Sequence, residues 1–310
     1  ACGSAYHVGL CGKYYFESVA KIPTEVEIAS EFRSRDVLVD KDTLFIVISQ
    51  SGETADTLAA LRIAKEKGAR TLAIVNVRGS TISREADYVI FTEAGPEIAV
   101  ATTKAFTAQL GIISLLSLYF GYTKGTIDQS GLRSLLHEIT AVPAQIESAL
   151  PELEHSKKTA ESLKDAHDVF FLGRGLDWYA ALEGSLKLKE ISYIHSETYA
   201  AGELKHGSIA LIEQGTPVIV VATQPSLYDK MAVAAAEVKC RGAQIIAITA
   251  AENEKLINLA DDAMIIPEAY PLFAPFGAVV FMQMLACECA KLRGFDVDKP
   301  RNLAKSVTVE

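Results

Sequence analysis

Two stretches of this 310-residue chain repeat one order of apolar runs, turns and helical segments at a separation of about 173 residues, which limits the fold more than any other feature. In the first half, Thr43–Ser49 is an apolar, β-branched run of strand type. A polar turn follows, then an amphipathic helical segment from Thr54 to Lys67 closed by Gly68, a strand over Thr71–Asn76, and Ala86-Asp87 leading to Phe91. The second half gives a strand over Thr216–Ala222, a helix from Leu227 to Arg241 closed by Gly242, a strand over Gln244–Thr249, and Ala260-Asp261 leading to Met264–Pro267. Glycine is the expected stop after each helix, because it enters the left-handed conformation without strain. Earlier segments agree: Gly3 to Gly9 with a helix to Glu17 parallels Gly175 with a helix to Glu190, and Ile28–Arg33 parallels Ala200–Lys205. Short strands alternating with helices predict βαβ units and a mostly parallel sheet in each half.

Between the halves, the polar, helix-prone stretch from Asp128 to Asp165 reads as connecting helices. A strand over Asp168–Leu172 precedes the first glycine of the second half, whereas the first half starts at that glycine. The opening strand of the first half is therefore expected to lie in a longer polypeptide. Phe295–Glu310 has no counterpart and reads as an added tail. The expected organisation is a first domain over 1–145, a second over 146–294 with a connecting helix, and the tail over 295–310.

At 49% apolar residues the chain can bury a sizeable core, and its net charge of −9 shows no basic stripe, so no nucleic-acid partner is expected. Acidity leaves a phosphorylated ligand open, because backbone N–H groups, hydroxyls and a helix dipole hold phosphate without net positive charge. The five cysteines, Cys2, Cys11, Cys240, Cys287 and Cys289, form no CxxC pair and fit neither a disulfide framework nor a zinc site. They read as free thiols in a reducing cytoplasm. No signal-peptide pattern is seen. The longest apolar helical stretch, Leu110 to Phe120, reads as a buried helix too short to span a bilayer, so no membrane partner is expected.

Ligands of parallel α/β sheets bind at the carboxyl ends of strands. The loop after the first strand, Ser49-Gln50-Ser51-Gly52-Glu53-Thr54, offers three hydroxyls, a glycine and the amino end of a helix, all suited to phosphate. The same residues also fit a plain capping box. The equivalent loop, Thr223-Gln224-Pro225-Ser226, lacks this density, so only the first half keeps the parts of an anion site. Val100-Ala101-Thr102-Thr103-Lys104, before an apolar helix, is a second hydroxyl cluster for which capping is again the plain alternative. Glu183, Lys187 and Glu190 share one helix face, where a carboxylate beside an ammonium can be tuned for proton transfer; a surface salt-bridge ladder is the commoner outcome of such spacing. His206, between Gly202 and Gly207, is an accessible titrating group. His7, His137, His155, His167 and His195 read as structural or solvated. No histidine pair has ligand spacing with a carboxylate, so no metal and no cofactor are expected. Lys305, inside an apolar tail segment, could be brought to a pocket by a tail that folds as a lid.

Taken with the motifs SQSGETADT (49–57), EIAVATTKAF (97–106), LEGSLKLKEISYIHSE (182–197), AAGELKHG (200–207) and the terminal DVDKPRNLAKSVTVE, these residues resemble, over essentially the whole chain, the isomerase portion of the glutamine–fructose-6-phosphate aminotransferase family. The resemblance implies two tandem sugar-isomerase (SIS) domains, each a five-stranded parallel sheet flanked by helices in a doubly wound, flavodoxin-like α/β fold. It implies that Ser49, Gln50, Ser51 and Thr54 hold the sugar phosphate. Ser4 matches a family threonine near the sugar, Val100 and Ala304 would contact the sugar through backbone groups, and Thr102 retains the hydroxyl of a family serine. Glu190 would move a proton between C1 and C2, with Lys187 assisting at the hydroxyl end. His206 would open the ring from a neighbouring subunit, which implies a homodimer. Lys305 would approach the open-chain carbonyl, where Schiff-base formation is within its chemistry. The implied ligands are fructose 6-phosphate and glucosamine 6-phosphate, and the implied partner is a glutaminase domain. Cys2-Gly3 is not that domain's nucleophile, because the SIS repeat accounts for it. A non-catalytic sugar-phosphate sensor and another SIS isomerase or deglycase are the rival expectations.

Overall fold

The computed structural model describes residues 1–150 and 153–308. Pro151 and Glu152 of the expected connecting helices, and Val309 and Glu310 of the expected tail, lie outside the described residues. The chain divides into two compact units, one formed by Ala1–Leu132 with Arg301–Glu310 and one by Arg133–Pro300.

In the first unit, α1 (Gly3–Tyr15) continues as a π-helical turn over Phe16–Ala20 and is followed by α2 (Ala29–Arg33), β1 (Leu44–Ser49), α3 (Ala55–Glu66), β2 (Arg70–Val75), α4 (Thr81–Glu85), β3 (Tyr88–Phe91) and α5 (Lys104–Lys124). α6 (Gln129–Ser148) carries the chain onward. The strands pair in parallel in the order β1-β2-β3. Val47, Ala73 and Val75 pack with Leu61 of α3 and Ile82 of α4. Each such buried aliphatic side chain contributes about 1.5–3 kcal/mol.

The second unit contains α7 (Leu153–Leu163), β4 (Asp168–Gly173), α8 (Leu176–Ser192), β5 (His195–Ala200), β6 (Pro217–Ala222), α9 (Tyr228–Lys239), β7 (Gln244–Thr249), α10 (Glu254–Leu259), β8 (Asp262–Ile265) and α11 (Ala274–Leu292). Its parallel sheet runs β5-β4-β6-β7-β8. Every residue of the inner strand β6 is buried, as its unbroken apolar run requires. The repeated Ala-Asp pairs also have a shared structural job. Asp87 Oδ2 accepts the Thr71 N–H at 2.8 Å, and Asp261 Oδ2 accepts the Ile245 N–H at 2.8 Å, so each tethers the chain entering the last strand to the strand beside it.

Five strands were expected in each half, and the first unit has three among its described residues. In the second unit β5 pairs with β4. One bond corresponds between the units: Ala29 N–H donates to Ala1 O at 2.9 Å, as Ala201 N–H does to Gly173 O at 2.9 Å. The segment between Ala20 and Ala29 is irregular.

The apolar stretch taken as Leu110–Phe120 is part of the 21-residue α5. By length and composition α5 and the 19-residue α11 could each cross a bilayer, which corrects the expected shortness. Half of the α5 window and 61% of the α11 window are buried inside the protein, as befits helices packed in a core.

Asp177, in the first turn of α8, is 1% exposed, and burial pushes its carboxyl up to about 6 despite hydrogen bonds from Thr223 and Gln224. The folded pKa lies above the ordinary 3.8, so the native state holds this proton more tightly than the unfolded chain does. The ionised form therefore costs roughly 3 kcal/mol above pH 6, a cost that fades as pH falls towards 4. Asp177→Asn should unfold at higher urea than the parent at pH 8, with the difference shrinking towards pH 4. A difference that is constant with pH would show that the carboxylate carries no such cost.

Candidate active site

β1 ends at Ser49, and the chain turns through Ser49–Thr54 into α3. Ser49 Oγ accepts the Gly52 N–H at 3.1 Å and lies 3.1 Å from Thr54 Oγ1, while Ser51 Oγ accepts the Glu53 N–H at 3.2 Å. Thr54 is the N-cap of α3 but makes no side-chain cap bond, so its hydroxyl is not spent on capping. The loop's one acid, Glu53, turns to accept the Thr81 N–H at 2.7 Å. That bond, then the Thr81 side chain, holds its carboxyl below the usual range. Gly52 has φ +67°, and a Cβ there would stand 2.6 Å from Ser80 Cβ. Gly52→Ala should cost about 1–2 kcal/mol from left-handed strain alone, with the Ser80 collision added. Phosphate affinity should fall with it. Unaltered phosphate binding in this variant, by calorimetric titration, would remove the loop from the site.

Ser4 lies in the first turn of α1, and Cys2 Sγ is 3.7 Å from Thr57 Oγ1, which sets the start of α1 beside the first turn of α3. The tail reaches the same place. Ala55 N–H donates to Val307 O at 3.1 Å, and Lys305 Nζ lies 2.9 Å from Glu97 Oε2. Glu97 Oε1 in turn accepts the Thr103 N–H at 2.8 Å and the Ala105 N–H at 3.3 Å at the start of α5. Lys305 and Val307 are two residues apart, so these anchors are at most about 7 Å apart along the backbone. Thus Ser4, the Ser49–Thr54 loop, the Val100–Thr103 segment, Ala304 and Lys305 gather around the amino ends of α1, α3 and α5.

Glu97 was missed by sequence reasoning. It stands six residues before the N-cap of α5, outside any capping spacing, and its cation comes from the far end of the chain. Its side chain is 3% exposed, so the Lys305 ammonium sits against a buried anion.

In the second unit the acid–base candidates lie on α8. Lys187 Nζ lies 2.5 Å from Glu190 Oε2 and 3.3 Å from Glu183 Oε1. The side chains of Lys187 and Glu183 are 1% and 0% exposed, and that of Glu190 is 21% exposed. The commonplace surface ladder is therefore excluded. Burial follows from α11, which packs so closely that a Cβ on Gly184 would stand 2.9 Å from Met282 Cβ. Burial pulls the Lys187 ammonium down, but the Glu183 and Glu190 carboxylates outweigh it and the net shift is upward. Lys187 thus remains a cation, able to stabilise or donate rather than to abstract. His206 ends the short 3-10 turn Leu204–His206 after β5, is exposed, and has no described hydrogen bond or ion pair to the α8 cluster. His155 and His195 are each paired with an aspartate, Asp262 and Asp168, at 2.7 Å. Among the described residues no group of three or more His, Cys, Asp or Glu side chains could hold a metal ion.

Two parallel sheets flanked by helices, with a hydroxyl-rich loop at the carboxyl end of β1, place the chain in the α/β class whose ligands bind at strand ends. A model of the SIS domain matches residues 1–119 and 162–290, and the chain belongs to the SIS-domain family. It is 56% identical over all 310 residues to the glutamine–fructose-6-phosphate aminotransferase (isomerizing) of Clostridium tetani, and 50% identical to one from Thermus thermophilus. The chain spans 51% of the length of each of these relatives. The C-terminal domain of glucosamine-fructose-6-phosphate aminotransferase from Francisella tularensis superposes with a TM-score of 0.93 at 38% identity, over 96% of this chain and 85% of that one. A glucosamine-6-phosphate deaminase from Thermotoga maritima superposes at 0.80 with 26% identity, over 99% of this chain and 88% of that one.

Proposed function

We propose that the chain is the isomerase half of a glutamine-dependent enzyme that converts fructose 6-phosphate and ammonia to glucosamine 6-phosphate and water. The observation that carries this reading is the buried Glu183–Lys187–Glu190 cluster, in a chain that matches such aminotransferases over its whole length. The phosphate would sit on the Ser49–Thr54 loop, held by hydroxyls, backbone N–H groups and the dipole of α3. Ser4 and Thr102 would bond sugar hydroxyls, and Val100 and Ala304 would do so through the backbone.

His206, supplied across a homodimer, would open the ring by moving a proton between the ring oxygen and the anomeric hydroxyl. Lys305 would meet the open-chain carbonyl. Its ammonium must first lose a proton to act as a nucleophile, and Glu97 is the adjacent carboxylate. The amine would form a Schiff base at C2 with loss of water, and ammonia from a glutaminase domain would then displace it, returning Lys305 as the free amine. Glu190 would take the proton from C1 and return one to C2, while the Lys187 cation stabilises charge on O1. The partly exposed Glu190 suits that exchange, and the buried Glu183 keeps Lys187 charged. Five free cysteines support a reducing, cytoplasmic setting.

Without ammonia the same proton shift interconverts fructose and glucose 6-phosphates. The chain incubated with fructose 6-phosphate in deuterated water should therefore place deuterium at C1 or C2, read by NMR. Tight binding with no exchange at any pH between 6 and 9 would favour a sugar-phosphate sensor instead.

A further inference from the structure

The second unit repeats the first unit's architecture but not its loop. In the order β5-β4-β6-β7-β8, the chain reverses direction of winding between β4 and β6, and ligands of such sheets enter the crevice at that point. Here the crevice is already occupied. Asp177, from the first turn of α8 after β4, presents Oδ2 to the Thr223 N–H at 2.7 Å and Oδ1 to the Thr223 hydroxyl at 2.5 Å. Thr223 is the first residue beyond β6. Gln224 also bonds the carboxylate, and its side chain donates to Thr223 Oγ1 and Pro271 O at 2.9 Å each. Asp177, Thr223 and Gln224 are 1%, 3% and 6% exposed.

Two further differences keep the crevice shut. Pro225 stands at the repeat position of Gly52, and a proline locked near φ −65° cannot take the +67° of that glycine. It also lacks the N–H donor. A Cβ on Gly173, the last residue of β4, would lie 2.6 Å from Trp178 N and from Asp177 C, so α8 starts directly against the strand end. Two residues beyond the paired glycines Gly3 and Gly175, the first unit carries Ala5 where the second carries Asp177, so it has no carboxylate there.

We propose that the second unit's ligand crevice is permanently filled by the chain's own Asp177 carboxyl group, which takes the hydrogen bonds that a bound ligand would draw there. Thr223 and Gln224 donate to Asp177 the kinds of hydrogen bond that a bound phosphomonoester would otherwise draw. The second unit is thereby left to carry Glu190, Lys187 and His206 without a competing ligand.

The test uses the full chain with its first-unit loop disabled by Ser51→Ala and Thr54→Val. In that background inorganic phosphate should give no binding isotherm and no rise in unfolding temperature beyond that of chloride at equal ionic strength. Adding Asp177→Ala empties the crevice, and formate, the size of the lost carboxylate, should then raise the unfolding temperature by a few degrees. Asp177→Asn keeps the crevice filled and should not respond to formate. Stoichiometric phosphate binding with Asp177 intact would overturn the proposal. So would an Asp177→Ala chain, folded by circular dichroism, that formate does not stabilise. Should Asp177→Ala not fold, the same formate response is required of Asp177→Ser, and its absence there counts against the proposal equally. A parent chain that failed to bind fructose 6-phosphate would sink the function proposed above and leave these outcomes untouched.

Discussion

In Glu190→Gln, fructose 6-phosphate should still bind with essentially the parent's affinity, while deuterium exchange at C1 and C2 falls by about 10²–10⁴-fold, the range of a lost general base. The amide keeps the shape of the side chain and a donor and acceptor, but it cannot take a proton. Lys187 would remain charged, because Glu183 is still 3.3 Å away. The split between retained affinity and lost turnover is the diagnostic feature, since a folding defect would remove both. Exchange at more than a tenth of the parent rate would transfer the proton-carrying role to another group, with Glu97 the next carboxylate to test.

The second large effect concerns stability. Lys187→Met removes the cation between two carboxylates and leaves the fully buried Glu183 without its counter-charge. Breaking a buried ion pair from one side costs about 3–5 kcal/mol, because the remaining charge stays desolvated. The unfolding midpoint of the second unit should fall on the order of 10 °C. Glu183→Gln added to that variant removes the stranded charge and should recover at least half of the loss. The recovery separates an electrostatic cause from a packing one: methionine fills most of the lysine's volume in both variants, so a pure packing defect would not respond to Glu183. A Lys187→Met chain as stable as the parent would show that the Lys187 cation is not what makes the buried Glu183 tolerable.

Much of this architecture is legible from β-branched runs and glycine stops. The strand expected over Gln244–Thr249 has those bounds, and the helix expected from Thr54 to Lys67 is Ala55–Glu66 with those two residues as its caps. These elements obey local rules, since alternation and capping act over a few residues. What the sequence did not reveal is set by distant partners. Asp177 in a first helical turn reads as an ordinary complement to the helix dipole, and only the approach of Thr223, 46 residues on, turns it into a buried internal ligand. Glu97 gives no local signal, because its ion-pair partner is 208 residues away. The Lys187 cluster lay between: spacing placed the three side chains on one face, but only the packing of α11 decided that the face is interior.

The tail adds a consequence in time. The first unit is closed by residues that follow the second, with roughly 170 residues made in between. At about 5–20 residues per second, the 251 residues from Thr54 to Lys305 take a ribosome about 13–50 s. During synthesis the nascent first unit therefore presents the loop proposed to hold phosphate with no Lys305 amine beside it, and Glu97 waits without that cation. The tail's contacts thereby wait on synthesis of the second unit: a translation product cut short before Arg301 would keep the Ser49–Thr54 hydroxyls and the Glu183–Lys187–Glu190 cluster, yet lack Lys305, the amine proposed to meet the substrate's carbonyl.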